Sequence, residues 1–223
     1  MRKILTAMMG LATGCYTAYV ALTYLRHGRV FRAPEYSVPL DSFMPQYEVR
    51  ERHKIKVHAP ADVVFAVAQQ VSLTQSPLVR LIFALREMPL RLTGAPVEPV
   101  SSQAWMDEAL ALGWRQIAEV PQRQIIMAAV TQPWKQNVEF HGLSAEEFTA
   151  FDQPDYAKIA WTLEVEPLDE NSCIFRTETR VSTTDAVSRE KFRRYWSFLS
   201  PGIIIIRYEI LRLVKAEAER QAN

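Results

Sequence analysis

Few residues in this chain have the type and spacing to do chemistry. Glu51 and His53 stand two apart in an alternating stretch, so both fall on one strand face. A carboxylate beside an imidazole has the form of a general acid/base pair. It is equally the form of a hydrogen-bonded or solvent-facing pair at a strand end, the commoner use of such groups. Thr177 and Thr179 share a face with Phe175 and Val181. They offer hydroxyls to a ligand in an apolar site, or serve simply as good strand residues. His141, Tyr156 and Trp134 fall in or near loops that would rim one end of such a site, where packing is the plainer role. No HExxH, GxSxG or phosphate-cradling loop occurs. Four histidines without ligand spacing point to no metal, and no cofactor is expected. Cys15 and Cys173 lie far apart and make no disulfide framework; Cys173 reads as a buried, inert thiol.

Composition bounds the rest. The chain has 223 residues, 48% hydrophobic and 23% charged, enough for one domain with a real core and an appendage. Lys+Arg 26 against Asp+Glu 25 leave a net charge of +1. Without a basic excess, nucleic acid is not an expected partner.

The appendage is N-terminal. Residues 4–25 carry no charge and match the ~20 residues that a helix needs to cross a bilayer. Three readings stand. The first is a membrane anchor over residues 1–25, of unresolved orientation because positive charge flanks both ends. The second is an export signal, in its lipoprotein form through Leu11-Ala-Thr-Gly-Cys15. The third is an amphipathic helix, for which a polar face is lacking. Residues 26–46, with Pro34, Pro39 and Pro45, read as an extended tether. Arg50, Arg52, Lys54 and Lys56 form a basic row that would attract an anionic leaflet, or pair with acids such as Glu178 on neighbouring strands.

From Tyr47 onward the pattern is globular. Tyr47 to Val57 alternates as a strand, with Tyr47, Val49, Glu51, His53, Ile55 and Val57 on one face. Helices are predicted from Pro60 and over Pro77–Met88, then a turn-rich stretch over Pro89–Pro99. A short helix over Ser102–Leu112 ends at Gly113. Strands follow over Trp114–Val120, Gln124–Gln132 and Asn137–Leu143, and Ser144-Ala-Glu-Glu147 has capping-box spacing. Two long strands then meet at Asp169-Glu170-Asn171. A helix from Thr184 to about Gln221 carries one apolar stripe, Phe192, Trp196, Leu199, Ile203, Ile206, Ile210 and Leu213, and Pro201 should bend it. An antiparallel sheet needs its apolar face covered, and this helix supplies the cover. The space left between them is a cavity. Trp161, Leu163, Phe175, Thr177 and Thr179 should face it, with Trp196 and Leu199 opposite.

That order of elements resembles the helix-grip fold of the START-related, polyketide cyclase/dehydrase-like (SRPBCC) superfamily, an α+β fold with a curved antiparallel sheet around a long C-terminal helix. His58-Ala-Pro-Ala-Asp-Val-Val-Phe65 is similar to its strand-to-helix junction. Thr177-Glu-Thr-Arg-Val181, then Thr184-Asp185, Arg189, Phe192 and Tyr195-Trp196, look like an uncharacterised bacterial branch. The resemblance covers the domain assigned to residues 47–223. It implies a cavity for a hydrophobic small molecule or lipid, bound or transferred, while a minority of such proteins catalyse cyclisation, dehydration or hydrolysis. A third possibility is a protein whose cavity is filled by its own side chains.

Overall fold

The computed structural model describes residues 2–27, 29–32, 39–82, 84 and 103–222. Pro34, the end of the Pro77–Met88 helix and the Pro89–Pro99 stretch lie outside the described residues. In chain order the elements are α1 (Arg2–Arg26), β1 (Phe31–Arg32), α2 (Leu40–Phe43), β2 (Gln46–Tyr47), β3 (Val49–Val57) and α3 (Ala61–Gln70). After a 3-10 turn at Leu73–Gln75, residues 77–82 are helical (α4). Then come α5 (Trp105–Ala111), β4 (Arg115–Val120), β5 (Gln124–Thr131), β6 (Phe140–His141), α6 (Ala145–Ala150), β7 (Ala157–Asp169), β8 (Ser172–Thr183) and α7 (Ala186–Ala222).

Among the described residues, the main sheet has six antiparallel strands in the order β3-β8-β7-β5-β4, with β6 beside β5. The long C-terminal helix lies on its concave face, so this is the helix-grip fold. The β7–β8 turn is closed by Asp169, whose carboxylate accepts from Asn171 N and Ser172 Oγ at 2.9 and 2.7 Å. Asp185 starts α7, its Oδ1 accepting from the Val187 and Ser188 amides at 2.7 and 2.8 Å. Gly113 ends α5 with φ +98°, and a Cβ there would lie 2.2 Å from the Phe140 carbonyl oxygen.

Register places three rows on the concave face: Trp161–Thr179–Glu51, Leu163–Thr177–His53 and Val165–Phe175–Ile55. The last two rows meet α3 and the C-terminal half of α7 in the main core, where Val64, Phe65, Leu211 and Val214 pack with Leu163 and Phe175. Phe192 and Trp196 are buried farther along with Val49 and Val181.

The convex face is covered as well. Leu40, Met44 and Tyr47 pack with Phe148 from α6 over Ile126, Ala128 and Ala160. Beneath them Arg180 is 1% exposed. Its guanidinium meets Asp41 at 2.6 Å and Glu178 at 2.7 Å, donates to the Met44 carbonyl at 3.0 Å and lies over the Tyr47 ring. The stretch expected to be an extended tether therefore includes β1, α2 and buried residues. Tyr47 also changes sides from its expected place. Glu48 N bonds Val181 O while Val49 pairs with Val181, so two residues oppose one, and the alternation that begins at Val49 does not reach back to Tyr47.

The membrane expectations are corrected. No helix among the described residues is long and apolar enough to cross a membrane. The tyrosines within residues 4–25 have a different use: α1 docks on α7. Tyr16 Oη donates to the Phe198 carbonyl at 2.8 Å, Tyr19 and Ser200 hydroxyls meet at 2.9 Å, and Tyr24 Oη donates to Glu190 at 2.7 Å. Arg193 stacks over the Tyr24 ring at 3.8 Å and donates to the Tyr24 carbonyl. The lipoprotein alternative is corrected with it. Cys15 is an exposed residue inside this continuous helix, and the residues after it are docked rather than forming a polar leash. In the basic row, Arg50 and Arg52 both pair with Glu178, at 2.9 and 3.4 Å.

Leu199 departs from its expected burial, being 46% exposed. It lies on the flank of the α7 stripe that neither the sheet nor α1 covers. Ile203 and Ile206 are partly buried.

Removing one partner of a buried ion pair strands the other charge. Asp41→Ala should therefore lower unfolding stability by about 3 kcal/mol, read from urea midpoints. The low end of the usual range applies because Glu178 and the Met44 carbonyl still hold Arg180. A loss below ~1 kcal/mol would be the value of an exposed pair and would contradict this burial.

Candidate functional site: an indole-lined cavity under the C-terminal helix

Where α7 leaves the sheet's closed end, space remains. A cavity of about 260 Å³ is lined by Trp105, Trp114 and Trp161 on one side and by Ile203, Ile206, Arg207 and Ile210 of α7 on the other. A second cavity of about 180 Å³ lies beside it, among Ile159, Thr179, Val181, Phe192, Tyr195 and Trp196. Trp114, Ile203 and Arg207 line both, so these three side chains form the wall between them.

Sequence and local structure account for this. Trp161 points inward from the middle of β7, Trp105 begins α5, and Trp114 follows the tight Gly113 turn. Trp105 stacks on Trp161 at 4.7 Å between ring centres, and Trp114 meets Trp161 edge-on at 5.9 Å. The Trp105 indole N–H is satisfied by the Ala68 carbonyl at 2.6 Å, which ties the wall to α3. The resulting surface is rigid and apolar.

One charge sits in it. The Arg207 guanidinium lies 5.6 Å over the Trp161 ring. Arg207 is half-buried, and burial pushes its pKa down to about 10. Glu108 borders the larger cavity, and burial pushes its carboxyl up.

The expected site residues divide. Trp161 lines the larger cavity; Thr179 and Trp196 line the smaller. Leu163, Phe175 and Thr177 lie at the end that α3 and α7 close, away from both cavities, and Leu199 faces solvent. Glu51 and His53 come within 3.7 Å of each other on edge strand β3. Glu51 faces another space, a cleft of about 390 Å³ bordered by Arg26, His27, Phe31 and Tyr47. Burial raises the Glu51 carboxyl; burial first, then the Arg207 charge, lowers His53. The His53 ring packs edge-on against Tyr208 at 4.7 Å. Its Nε2, the Thr177 hydroxyl and the Trp196 indole nitrogen are buried without a hydrogen bond. His141 and Tyr156 border a small polar cleft, while the Trp134 ring lies under Lys191. Cys173 is buried and its thiol is pushed up to about 11, which suits an inert group.

Sequence reasoning did not single out Trp105, Trp114 or Arg207. The indoles sit at element ends, where periodicity carries no signal. Arg207 stands next to an apolar stripe and reads as its solvated flank.

No family model matches the sequence, and no curated protein matches it. Some solved structures are similar to it at low level. The Zhui aromatase/cyclase from Streptomyces sp. R1128 is 12% identical, with a TM-score of 0.31 over 78% of this chain and 96% of that one. A conserved protein from Geobacillus kaustophilus is 9% identical, with a TM-score of 0.35 over 78% and 98%. A norcoclaurine synthase from Thalictrum flavum is 10% identical, with a TM-score of 0.29 over 78% and 96%. At these values no argument about activity passes from them to this chain.

The His53 environment has a measurable sign. Burial and a like charge both favour the neutral ring, so its folded pKa lies below the ordinary 6.5. The stability tied to the neutral form is present above the unfolded value and is lost as pH falls through the folded one. Ring nitrogen NMR shifts should titrate below 6.5, and Arg207→Met should move the midpoint upward. A midpoint at or above 6.5 in the unaltered protein would contradict the described burial.

Proposed function

We propose that this protein binds a hydrophobic small molecule or lipid-like compound in the cavity between α7 and the sheet. One observation carries the reading: three indoles and three isoleucines converge on a space of about 260 Å³. Ligand sites are concave and mostly apolar, with few polar groups; this space has that lining and lies just below the usual size range. The occupant is accordingly compact, a fused aromatic or a chain of moderate length.

A second reading is a small enzyme of the cyclase, dehydratase or hydrolase type. It rests on Glu51 and His53, 3.7 Å apart, with both pKa shifts toward the neutral form. A carboxyl raised and an imidazole lowered are suited to exchanging a proton. The geometry favours binding over this reading, because Glu51 borders the Arg26–Tyr47 cleft and not the indole-walled space.

The neutral fluorescent probe N-phenyl-1-naphthylamine should bind saturably and be displaced by apolar competitors. Ile206→Trp should reduce its affinity tenfold or more by filling the space. The cost in stability should stay under ~1 kcal/mol, because the ring enters a void rather than a packed core. Absence of saturable binding would sink the reading and leave a cavity that holds no ligand.

A further inference from the structure

Arg180 and Arg207 are both withdrawn from water to some degree, and of the two only Arg180 is neutralised. Arg180 is met by Asp41 and Glu178. Arg207 is half-buried and has no hydrogen bond or ion pair among the described residues, only the face of Trp161. Glu108 borders the same space without pairing with it. A guanidinium partly withdrawn from water, with no anion beside it, is a ready partner for one. Its position on the wall shared by the two cavities makes it accessible from either.

From this we infer that the ligand is an apolar acid, whose single carboxylate docks on Arg207 while its carbon skeleton lies against the indoles. This rests on the binding reading above and specifies its ligand class. The guanidinium presents paired N–H donors in a plane, which match the two oxygens of a carboxylate. One positive charge balances one negative charge. A phosphate monoester would bring close to two, and the excess would be buried without compensation. Arg207 thus sets which end of the ligand points inward, and the isoleucines of α7 accept the rest.

Three ligands sharing a ten-carbon chain, decanoic acid, 1-decanol and decyl phosphate, separate the terms when titrated calorimetrically into the full chain at neutral pH. Decanoate should bind tenfold or more tightly than decanol, and more tightly than decyl phosphate. Arg207→Met should abolish the preference for the acid while leaving decanol affinity within about twofold. Arg207→Lys should retain part of it, because the charge stays and the fork geometry goes. The melting temperature of Arg207→Met without ligand should equal or exceed that of the unaltered protein, since an uncompensated charge is removed; a marked fall would indicate a structural arginine and overturn the inference. Equal affinity for decanol and decanoate would overturn it while leaving the binding reading in place. Tighter binding of decyl phosphate would overturn the match to a single charge. Failure of all three ligands to bind would remove the binding reading and this inference together.

Discussion

A single antiparallel sheet has two faces, and neither face of this one can be left wet. Its central strands are apolar or buried on both sides: Trp161 and Leu163 project to one face, Ala160 and Thr162 to the other, and all four are nearly inaccessible. Covering the concave side takes the longest helix, and covering the convex side takes α2, β2 and α6. The two covers work differently. On the convex side the layer closes over a buried charge cluster, and Arg180 holds α2 to β8 through Asp41. On the concave side the helix is longer than the surface it meets. It seals the sheet at Phe192 and Trp196 and again beyond Ile210, and leaves an unfilled stretch between. The cavity is that unfilled stretch.

Much of this order is legible in the residues. Period-two runs marked β3, β7 and β8, and a long stripe at intervals of three and four marked α7. Those signals are strong because each side chain's direction is set by the backbone repeat. The site was less legible for the same reason. Leu163, Phe175 and Thr177 do point to the concave face, yet a face is not a cavity: only the placement of α3 decides which part of the face stays open. Leu199 obeys the period of the stripe but is nearly half exposed. The N-terminal helix misled most. Its length and lack of charge suggested a bilayer, whereas its tyrosine hydroxyls have partners on α7. A lack of charge says nothing of what a helix is bonded to.

Charge was the hardest to read. Arg180 and Arg207 are equally basic in the sequence, and nothing local distinguishes them. The first is enclosed by an aspartate 139 positions away in sequence and by its near neighbour Glu178. The second lies over Trp161 and borders the same space as Trp105 and Trp114. One contributes to fold stability through its partners. The other is a held charge with room beside it, and that room gives the cavity a direction, one polar end in an otherwise featureless apolar lining.

The topology also sets when the molecule can form. Strand β3 pairs with β8, Val49 opposite Val181, and Tyr16 bonds to Phe198 across 182 positions. On a ribosome adding ~5–20 residues per second, α1, α2 and β3 therefore wait roughly ten seconds or more for their partners. Loop closure over such distances is slow compared with local hairpin formation. The hairpin of β7 and β8 and its pairing with β5 can assemble as the chain emerges, while the N-terminal segment, apolar and without a surface to dock on, is exposed until the last helix arrives. The first helix gains its docking surface only once the first half of α7, Glu190 to Ser200, has been made.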